Sequence, residues 1–387
     1  MGSPAAESPL GAAPLIADRP DPAPALGLLP RVGGCRITGE LAAGGMAVLY
    51  RGVQESLGRP VAIKALRSDV LVEHATQRAP NRPDWVQRFV REARILSLLQ
   101  HENLVHVYDL VDLREQTEAG PAGSLFIVME LCEGVDLLDL LDRLVDRLGQ
   151  PPTLPVDVAA LIALGAAKAL AHIHTHQILH RDVKPANLFV TSSGIVKLLD
   201  FGTAWDPANP SDRLGREVGL GTPSYMSPEQ ALGASLDHRS DQFSLGVVLY
   251  QMLGGRKPFG ATVPPRGQRE SSVLEEVARA EPPPLHELNR RVPEALLEIV
   301  SRCLDRQPAR RYPTTDELAQ ALERWVSQAV PGNLRARLVE YLVELQFVTP
   351  EDAARVLRPF GVAAELPAAQ PAPHDKLISS WLRRLWG

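Results

Sequence analysis

The sequence predicts an α+β fold of two lobes, an antiparallel sheet with one helix followed by a lobe that is mainly helical. Three observations carry this. Between Arg36 and Leu131 the apolar residues fall in short strand-like runs, interrupted by one segment of helical period. After the CEGVD stretch at 132–136 helical periods dominate, and this change marks the boundary between the lobes. At 387 residues the chain also exceeds one typical domain, so two lobes plus tails is the natural partition.

Composition removes several function classes. With 45% apolar and 22% charged residues the chain is of the soluble globular type. A net charge of -5 provides no broad basic field, so nucleic acid is not an expected partner. Cys35, Cys132 and Cys303 form no CxxC pair, which argues against a zinc site or a disulfide framework and fits a reducing compartment. No uninterrupted apolar run approaches the roughly 18 residues of a membrane span. The N-terminus shows no basic region followed by an apolar core. A cytoplasmic location is therefore expected.

Taken in order, residues 1–30 are rich in Ala and Pro, carry no hydrophobic period, and are expected to be a disordered arm. ITGELAAGGMAVLYRG (37–52) places apolar residues on either side of Gly44 and Gly45, the pattern of two strands joined by a tight turn. VAIKAL (61–66) reads as a third strand. Glycines at such a turn let backbone N–H groups approach phosphates with no Cβ in the way, although most such hairpins are turns and nothing more. A polar insertion (72–83) precedes a helix running from Asp84, as N-cap, to Leu99, with Phe89, Ala93, Leu96 and Leu99 on its buried face. Glu92 lies on or beside that stripe. It either turns to solvent or meets a cation, for which Lys64 in the VAIK strand is the candidate. LVHVYDLV (104–111) and SLFIVMEL (124–131) then read as a long-looped hairpin that completes the sheet, and CEGVD as a break after it.

The helix at 156–175 is apolar on most of its circumference and hence buried. His172 and His176 stand at i, i+4, but no acidic or thiol co-ligand completes a metal set, and packing at a helix end is the better account. HRDVKPAN (180–187) follows, a polar loop between the strand-like pair Ile178, Leu179 and the apolar run 188–190. Asp182, Lys184 and Asn187 place a carboxylate, a cation and an amide oxygen in one short loop, the set that phosphoryl transfer needs. Standing alone, the octapeptide would be read first as an ordinary polar turn. NLFV and GIVKLLD form a hairpin across Thr191 to Gly194 and deliver Asp200, Phe201 and Gly202, so that Asp200 comes close to Asn187. The chain has six lysines, at 64, 168, 184, 197, 257 and 376, and otherwise uses arginine; two of the six lie in these motifs. Residues 203–220 read as loop, GTPSYMSPEQ (221–230) introduces a helix, and further helices fall near 241–253, 294–304 and 315–325.

A small helical extension (329–362) is expected as a helical pair, with Thr349 as N-cap and Pro350 at the first helical position of the second. A Pro/Ala linker (363–375) leads to an amphipathic helix (376–387) with Leu377, Ile378, Trp381, Leu382, Leu385 and Trp386 on one face. That face has three possible covers: the chain's own domain, a partner protein, or, least favoured by its length and charge, a membrane surface.

With these motifs in this order, the chain resembles the eukaryotic-like (Hanks-type) serine/threonine protein kinases, in the version common among bacteria, over about residues 33–328. The residues that carry the resemblance are LAAGGMAVLY, VAIK with Lys64, REA with Glu92, VMEL, HRDVKPAN, DFG at 200–202, SPE at 227–229 and SDQFSLG with Asp241. It implies a bilobal protein-kinase-like fold with an N-lobe at 31–131 and a C-lobe at 132–328. It also implies ATP-dependent phosphorylation of Ser/Thr hydroxyls on protein substrates in bacterial signalling, with autophosphorylation. By position, Asp182 would be the base that orients the substrate hydroxyl and Lys184 would neutralise the transferring phosphoryl group. Asn187 and Asp200 would hold Mg²⁺, with Mn²⁺ as an alternative. The nucleotide would lie under the loop formed by Leu41, Ala42, Ala43, Gly44, Gly45, Met46, Ala47, Val48 and Leu49. Lys64 would meet its phosphates while paired to Glu92; Ala62 and Phe189 would enclose adenine, and backbone groups of Glu130 and Cys132 would bond its edge behind Met129. Leu96, His180 and Phe201 would stack in an internal spine, and Glu229 would pair with Arg311. Lys184 and Thr222 match the serine/threonine branch, and the SPE and SDQFSLG segments speak against a small-molecule kinase.

The chain departs from the family in two places. Ala42 and Ala47 replace two glycines of the phosphate loop, so slower turnover or weaker ATP binding is expected, and a pseudokinase scaffold is the alternative function. Between Asp200 and Gly221 the hydroxyls are few, namely Thr203 and Ser211. Glu217 or Asp212 is expected to supply the negative charge that a phosphate would otherwise bring to Arg181, unless Arg181 pairs with a local acid.

Overall fold

The computed structural model describes residues 31–43, 47–67, 85–113, 125–148, 153–201, 204, 222–260 and 269–360. The expectations for the 1–30 arm, Gly44, Gly45, Met46, the 72–83 insertion, the Asp84 cap, Gly202, Thr203, the 205–221 loop with Ser211, Asp212 and Glu217, the linker and the last helix lie outside these residues.

The N-lobe is a six-stranded antiparallel sheet in the order β1-β2-β3-β4-β6-β5, built from β1 (Arg31–Val32), β2 (Cys35–Ala43), β3 (Ala47–Gln54), β4 (Arg59–Leu66), β5 (Val107–Asp112) and β6 (Leu125–Glu130). The two-residue period of a strand divides this sheet between two faces. Val48, Tyr50, Val61, Ile63 and Ala65 gather with Phe126 and Val128 on one face, whereas Ala42, Leu49 and Ala62 gather on another. The helix α1 (Trp85–Leu98), the one helix among the described residues of this lobe, buries Phe89, Ala93 and Leu96 as its spacing predicts, and buries Glu92 with them.

Two sequence expectations need correction at the lobe boundary. The strand anticipated from residue 104 begins only at Val107. Residues 103 and 104 are committed to the other lobe: Leu198 N–H donates to Asn103 O (2.8 Å), Asn103 Nδ2 donates to Val196 O (2.7 Å), and Leu104 bridges Leu198. Nor does the 132–136 stretch merely break the sheet. Gly134–Asp136 forms a short strand, β7, that pairs with β8 (Leu188–Thr191), which in turn pairs with β9 (Val196–Leu198). Gly134 has φ +150°, and a Cβ there would meet Val190 O at 2.2 Å, so only glycine admits this pairing. The pair Ile178, Leu179 forms no strand of its own.

The C-lobe packs around α3 (Val156–Thr175), which follows α2 (Leu137–Leu148). By length and composition α3 is the one helix among the described residues that could cross a membrane, but it is buried on nearly all sides as the core of this lobe. Around it lie α4 (Pro228–Ala231), α5 (His238–Gly254), α6 (Arg269–Arg279), α7 (Leu285–Leu288), α8 (Glu294–Cys303) and α9 (Thr315–Ala329). Their ends carry the expected chemistry: Asp237 caps α5 at its start, Gly255 closes it at φ +73°, and Ser227 with Gln230 makes a capping box on α4.

Two further helices follow, α10 (Leu334–Glu344) and α11 (Pro350–Leu357), capped by Asn333 and Thr349. Leu338, Val339, Leu342, Ala353 and Leu357 join the same continuous core as α3. Arg337 pairs with Asp157 at 2.5 Å, Arg335 pairs with Glu102, and Arg147 donates to Glu344 O at 2.7 Å.

Candidate active site

One buried carboxylate organises the loop at 180–187. Asp241, in the first turn of α5, accepts the backbone N–H of His180 (2.9 Å) and of Arg181 (2.8 Å), and a hydrogen bond from His174 Nε2 (2.8 Å). Burial opposes its ionisation, but the His174 ring and these donors hold its carboxyl below the ordinary range. Arg181 stands at φ +68°, an uncommon backbone state for a side-chain-bearing residue, and its hydrogen bond to Asp241 keeps it there. The His180 ring shares a hydrogen bond with Leu199 O (2.9 Å) and meets Phe201 edge-on at 4.9 Å, which ties the loop to the chain leaving β9.

The chemistry-bearing side chains converge from there. Lys184 Nζ lies 2.7 Å from Asp182 Oδ2, and Asp182 is only 9% exposed. Asn187 Nδ2 donates to Asp182 O at 2.7 Å and approaches Asp182 Oδ2 at 3.3 Å. With its amide nitrogen so engaged, Asn187 leaves Oδ1 buried and without a hydrogen-bond partner among the described residues. A buried oxygen with no donor is costly, and a hard divalent cation is the partner that such an oxygen fits. Leu199 N–H donates to Asn187 O at 2.9 Å, so the next residue, Asp200, is fixed beside it with φ +60°. The donor set therefore fits a divalent ion held by Asn187 and Asp200.

From the N-lobe, Lys64 Nζ reaches both oxygens of Glu92, at 2.8 and 2.7 Å. Both residues are buried, at 6% and 5% exposure, so each needs the other. Burial pushes the Glu92 carboxyl upward; the Lys64 ammonium pulls it down, and the Asp200 carboxylate pushes it up again, which brings Asp200 within electrostatic reach of the pair. Of the two outcomes open to Glu92, solvent or cation, the fold takes the cation.

Beside this pair two apolar patches frame a slot. Ala42, Leu49 and Ala62 form one, with Leu41 and Leu131 packed on it; Val105, Phe189 and Leu199 form the other, with Cys132 on it. Met129 packs against both and so closes the back. Burial pushes the Cys132 thiol up to about 12, with Glu130 adding to it, so Cys132 is a neutral lining group. Two residues on the strands of this loop leave the slot's own patch: Val48 joins the opposite face of the sheet and Ala47 joins the main core, while Ala43 is exposed.

The sequence reading missed two residues at this site. Lys197, on β9, donates to Glu102 O (3.1 Å) and Leu104 O (3.0 Å) and pairs with Glu130 Oε2 (2.8 Å), joining the end of β6 to the segment after α1. Its place among so few lysines was the available signal. Asp136 stands opposite Phe189 in the β7–β8 ladder and caps α2 through Asp139 N–H (2.9 Å), yet its Oδ2 is buried with no hydrogen-bond partner among the described residues. An aspartate directly before the helical LLDLLDRL run marked the cap. Below the site Arg311, 1% exposed, forks onto Glu229 at 2.7 and 2.9 Å, and Ser240 Oγ donates to the same carboxylate. His172 stacks on His101 and meets His176 at a tilt, and no group of three or more His, Cys, Asp or Glu gathers for a metal among the described residues.

Comparison with known proteins agrees with this geometry. The family described as protein kinase domain matches residues 36–323. The chain is 39% identical over 298 residues to serine/threonine-protein kinase pkn2 of Myxococcus xanthus, covering 74% of this chain and 32% of that protein. It is 32% identical over 343 residues to serine/threonine-protein kinase PknB of Mycolicibacterium smegmatis, covering 88% and 50%. The chain thus spans about a third to a half of the length of these curated relatives. Among solved structures, the PknI kinase domain of Mycobacterium tuberculosis is similar with a TM-score of 0.54 and 26% identity, over 78% of this chain and 99% of that one. By sequence, fold and the arrangement of its site, the chain belongs to the protein kinase domain family, in its bacterial Hanks-type serine/threonine branch.

Proposed function

We propose that this chain transfers the γ-phosphoryl group of ATP to Ser and Thr hydroxyls of proteins, with Mg²⁺ as the working ion and Mn²⁺ as a substitute. The observation that carries the reading is the convergence of Asp182, Lys184 and Asn187 around one carboxylate, with Lys64 and Glu92 paired at 2.7 Å. Every charged position of the set is present, which favours transfer over a nucleotide-binding scaffold.

Asp182 accepts the proton of the incoming hydroxyl, since its Oδ2 is the oxygen that Lys184 and Asn187 orient. Lys184, a compact cation 2.7 Å from that oxygen, offsets negative charge as it moves between donor and acceptor oxygens. Asn187 and Asp200 would hold the divalent ion, whose chemistry is to neutralise phosphate charge and align the transferring group. Lys64, fixed by Glu92, orients phosphates, and the slot between Ala62 and Phe189 takes a flat aromatic base. Lys64 to Glu92 pairing is already formed, so this end of the site is preorganised. The free thiols Cys35, Cys132 and Cys303 support a reducing compartment for the domain.

A divalent-ion titration tests the metal assignment. Asn187→Ala should raise the Mg²⁺ concentration needed for half-maximal transfer about tenfold or more while the folded fraction is unchanged. An unaltered Mg²⁺ requirement would remove Asn187 from the metal site.

A further inference from the structure

The turn after α5 carries two cations, Arg256 and Lys257, and Lys257 reaches the segment that begins at Thr222. Gly255 ends the helix, Arg256 is exposed, and Phe259, fully buried, stacks on Phe243 with centroids 6.0 Å apart and planes within 11°. Phe259 therefore anchors the backbone only two residues beyond Lys257. Lys257 Nζ donates to Ser224 Oγ at 3.1 Å and lies 5.5 Å from the centre of the Tyr225 ring, whose hydroxyl is bonded to Gln251 at 2.7 Å.

No carboxylate among the described residues pairs with Arg256 or Lys257. Glu276, on the neighbouring helix α6, is occupied in accepting Gly260 N–H at 3.0 Å. Burial lowers the Lys257 pKa below the ordinary lysine range. A partly buried cation whose one hydrogen-bond acceptor is a neutral hydroxyl is under-compensated.

Its position gives that deficit a use. Ser224 and Tyr225 form the turn Pro223–Tyr225 after Thr222, and further along the same segment Gln230 Nε2 donates to Arg181 O at 2.9 Å. Arg181 precedes Asp182, so the segment runs from the residue beside the base to the ammonium of Lys257. A polypeptide that brings a hydroxyl to Asp182 extends beyond the reacting residue, and this segment, bonded to the residue next to Asp182, is within reach of its flanks.

We propose that Lys257, assisted by Arg256, is a substrate-reading site for an acidic side chain, so that the chain prefers acceptor Ser or Thr residues flanked by Asp or Glu. The inference rests on the protein-kinase reading above and adds the class of protein substrate. The ammonium supplies the charge, Ser224 Oγ and the Tyr225 ring set its direction, and an incoming carboxylate completes its hydrogen bonding.

Paired peptides test it, identical except that Asp or Glu flanks of the acceptor are replaced by Asn or Gln. The acidic member should be phosphorylated with kcat/KM about tenfold higher, the worth of one charge-assisted hydrogen bond. Lys257→Met should shrink that ratio to about two, mostly through KM. Arg256→Glu, at an exposed position that leaves the fold undisturbed, should lower the ratio as well. Equal kcat/KM for the two peptides, or a ratio that both variants leave unchanged, overturns the proposal. Anisotropy of a fluorescent acidic peptide, measured without nucleotide, separates this from the kinase reading itself. Binding that weakens in both variants supports the site even if no peptide is phosphorylated, and absence of binding by the parent chain overturns it.

Discussion

Glu92 is a carboxylate that an isolated helix would turn to water and that this fold buries against Lys64. Removing one partner strands the other, and such a change costs roughly 3–5 kcal/mol, whereas replacing both with apolar groups is often close to neutral. Glu92→Leu and Lys64→Met should therefore each lower the unfolding free energy by about that amount, and the double variant should recover most of it without recovering phosphoryl transfer. Chemical denaturation beside an activity assay reads both. If the double variant were as unstable as the sum of the singles, the pair would not be the coupled unit its geometry shows. Asp136 gives a second prediction at this scale. Burial, with the Asp139 carboxylate beside it, pushes its carboxyl up to about 8. The folded value lies above the unfolded one, near 4, so the native state holds the extra proton and stability falls as pH rises from about 4 to about 8. Asn caps a helix as Asp does but does not titrate. The melting temperature of Asp136→Asn relative to the parent should thus climb between pH 5 and pH 8.5; a constant difference would refute the burial account.

At the scale of elements, the helical pair α10 and α11 is continuous with the C-lobe core. Leu338, Val339 and Leu342 are buried with α3, Arg337 pairs with Asp157, and a Cβ on Gly194 would meet Arg335 O at 2.4 Å. Ending the chain after Gly332 should lower the melting temperature by roughly 10 °C or more, because several large apolar side chains leave the core together. Ending it after Phe360 keeps the described core intact and should have a far smaller effect. Comparable melting for the two truncations would show that the pair is an independent appendage. Elements with a strong internal period were legible in the sequence: α3 and α9 from their apolar spacing, α11 from Thr349 and Pro350. The short pieces were not, and the reason is physical. Leu104 and Val105 are apolar like a strand, but Asn103 O and Leu104 O accept from Leu198 N–H and Lys197 Nζ of β9 across the lobe boundary. Gly134–Asp136 is a strand only because β8 lies beside it, a partner more than fifty residues away in sequence.

Taken as a whole molecule, the chain brings together from separate stretches the residues proposed as nucleotide slot, metal ligands and base. Motif order made Lys64, Asp182, Asn187 and Asp200 legible, because each lies in a short pattern whose chemistry is specific. Lys197 and Asp136 escaped because their partners are assembled by tertiary contacts: two carbonyls and Glu130 for the lysine, a buried strand edge for the aspartate. Which side of a strand faces the slot also needed the fold, as Val48 shows by joining the opposite face from Leu49. The lobes are locked by the same contacts that position the chemistry, since Lys197 ties the segment after α1 to the end of β6 and Leu199 ties Asn187 to Asp200. The most direct measurement is transfer of label from γ-labelled Mg·ATP to protein Ser and Thr by the purified chain, with Asp182→Asn alongside. The parent should label protein and the variant should fall by at least about a hundredfold at equal folded concentration; equal labelling by both would contradict the assignment of Asp182 as the base.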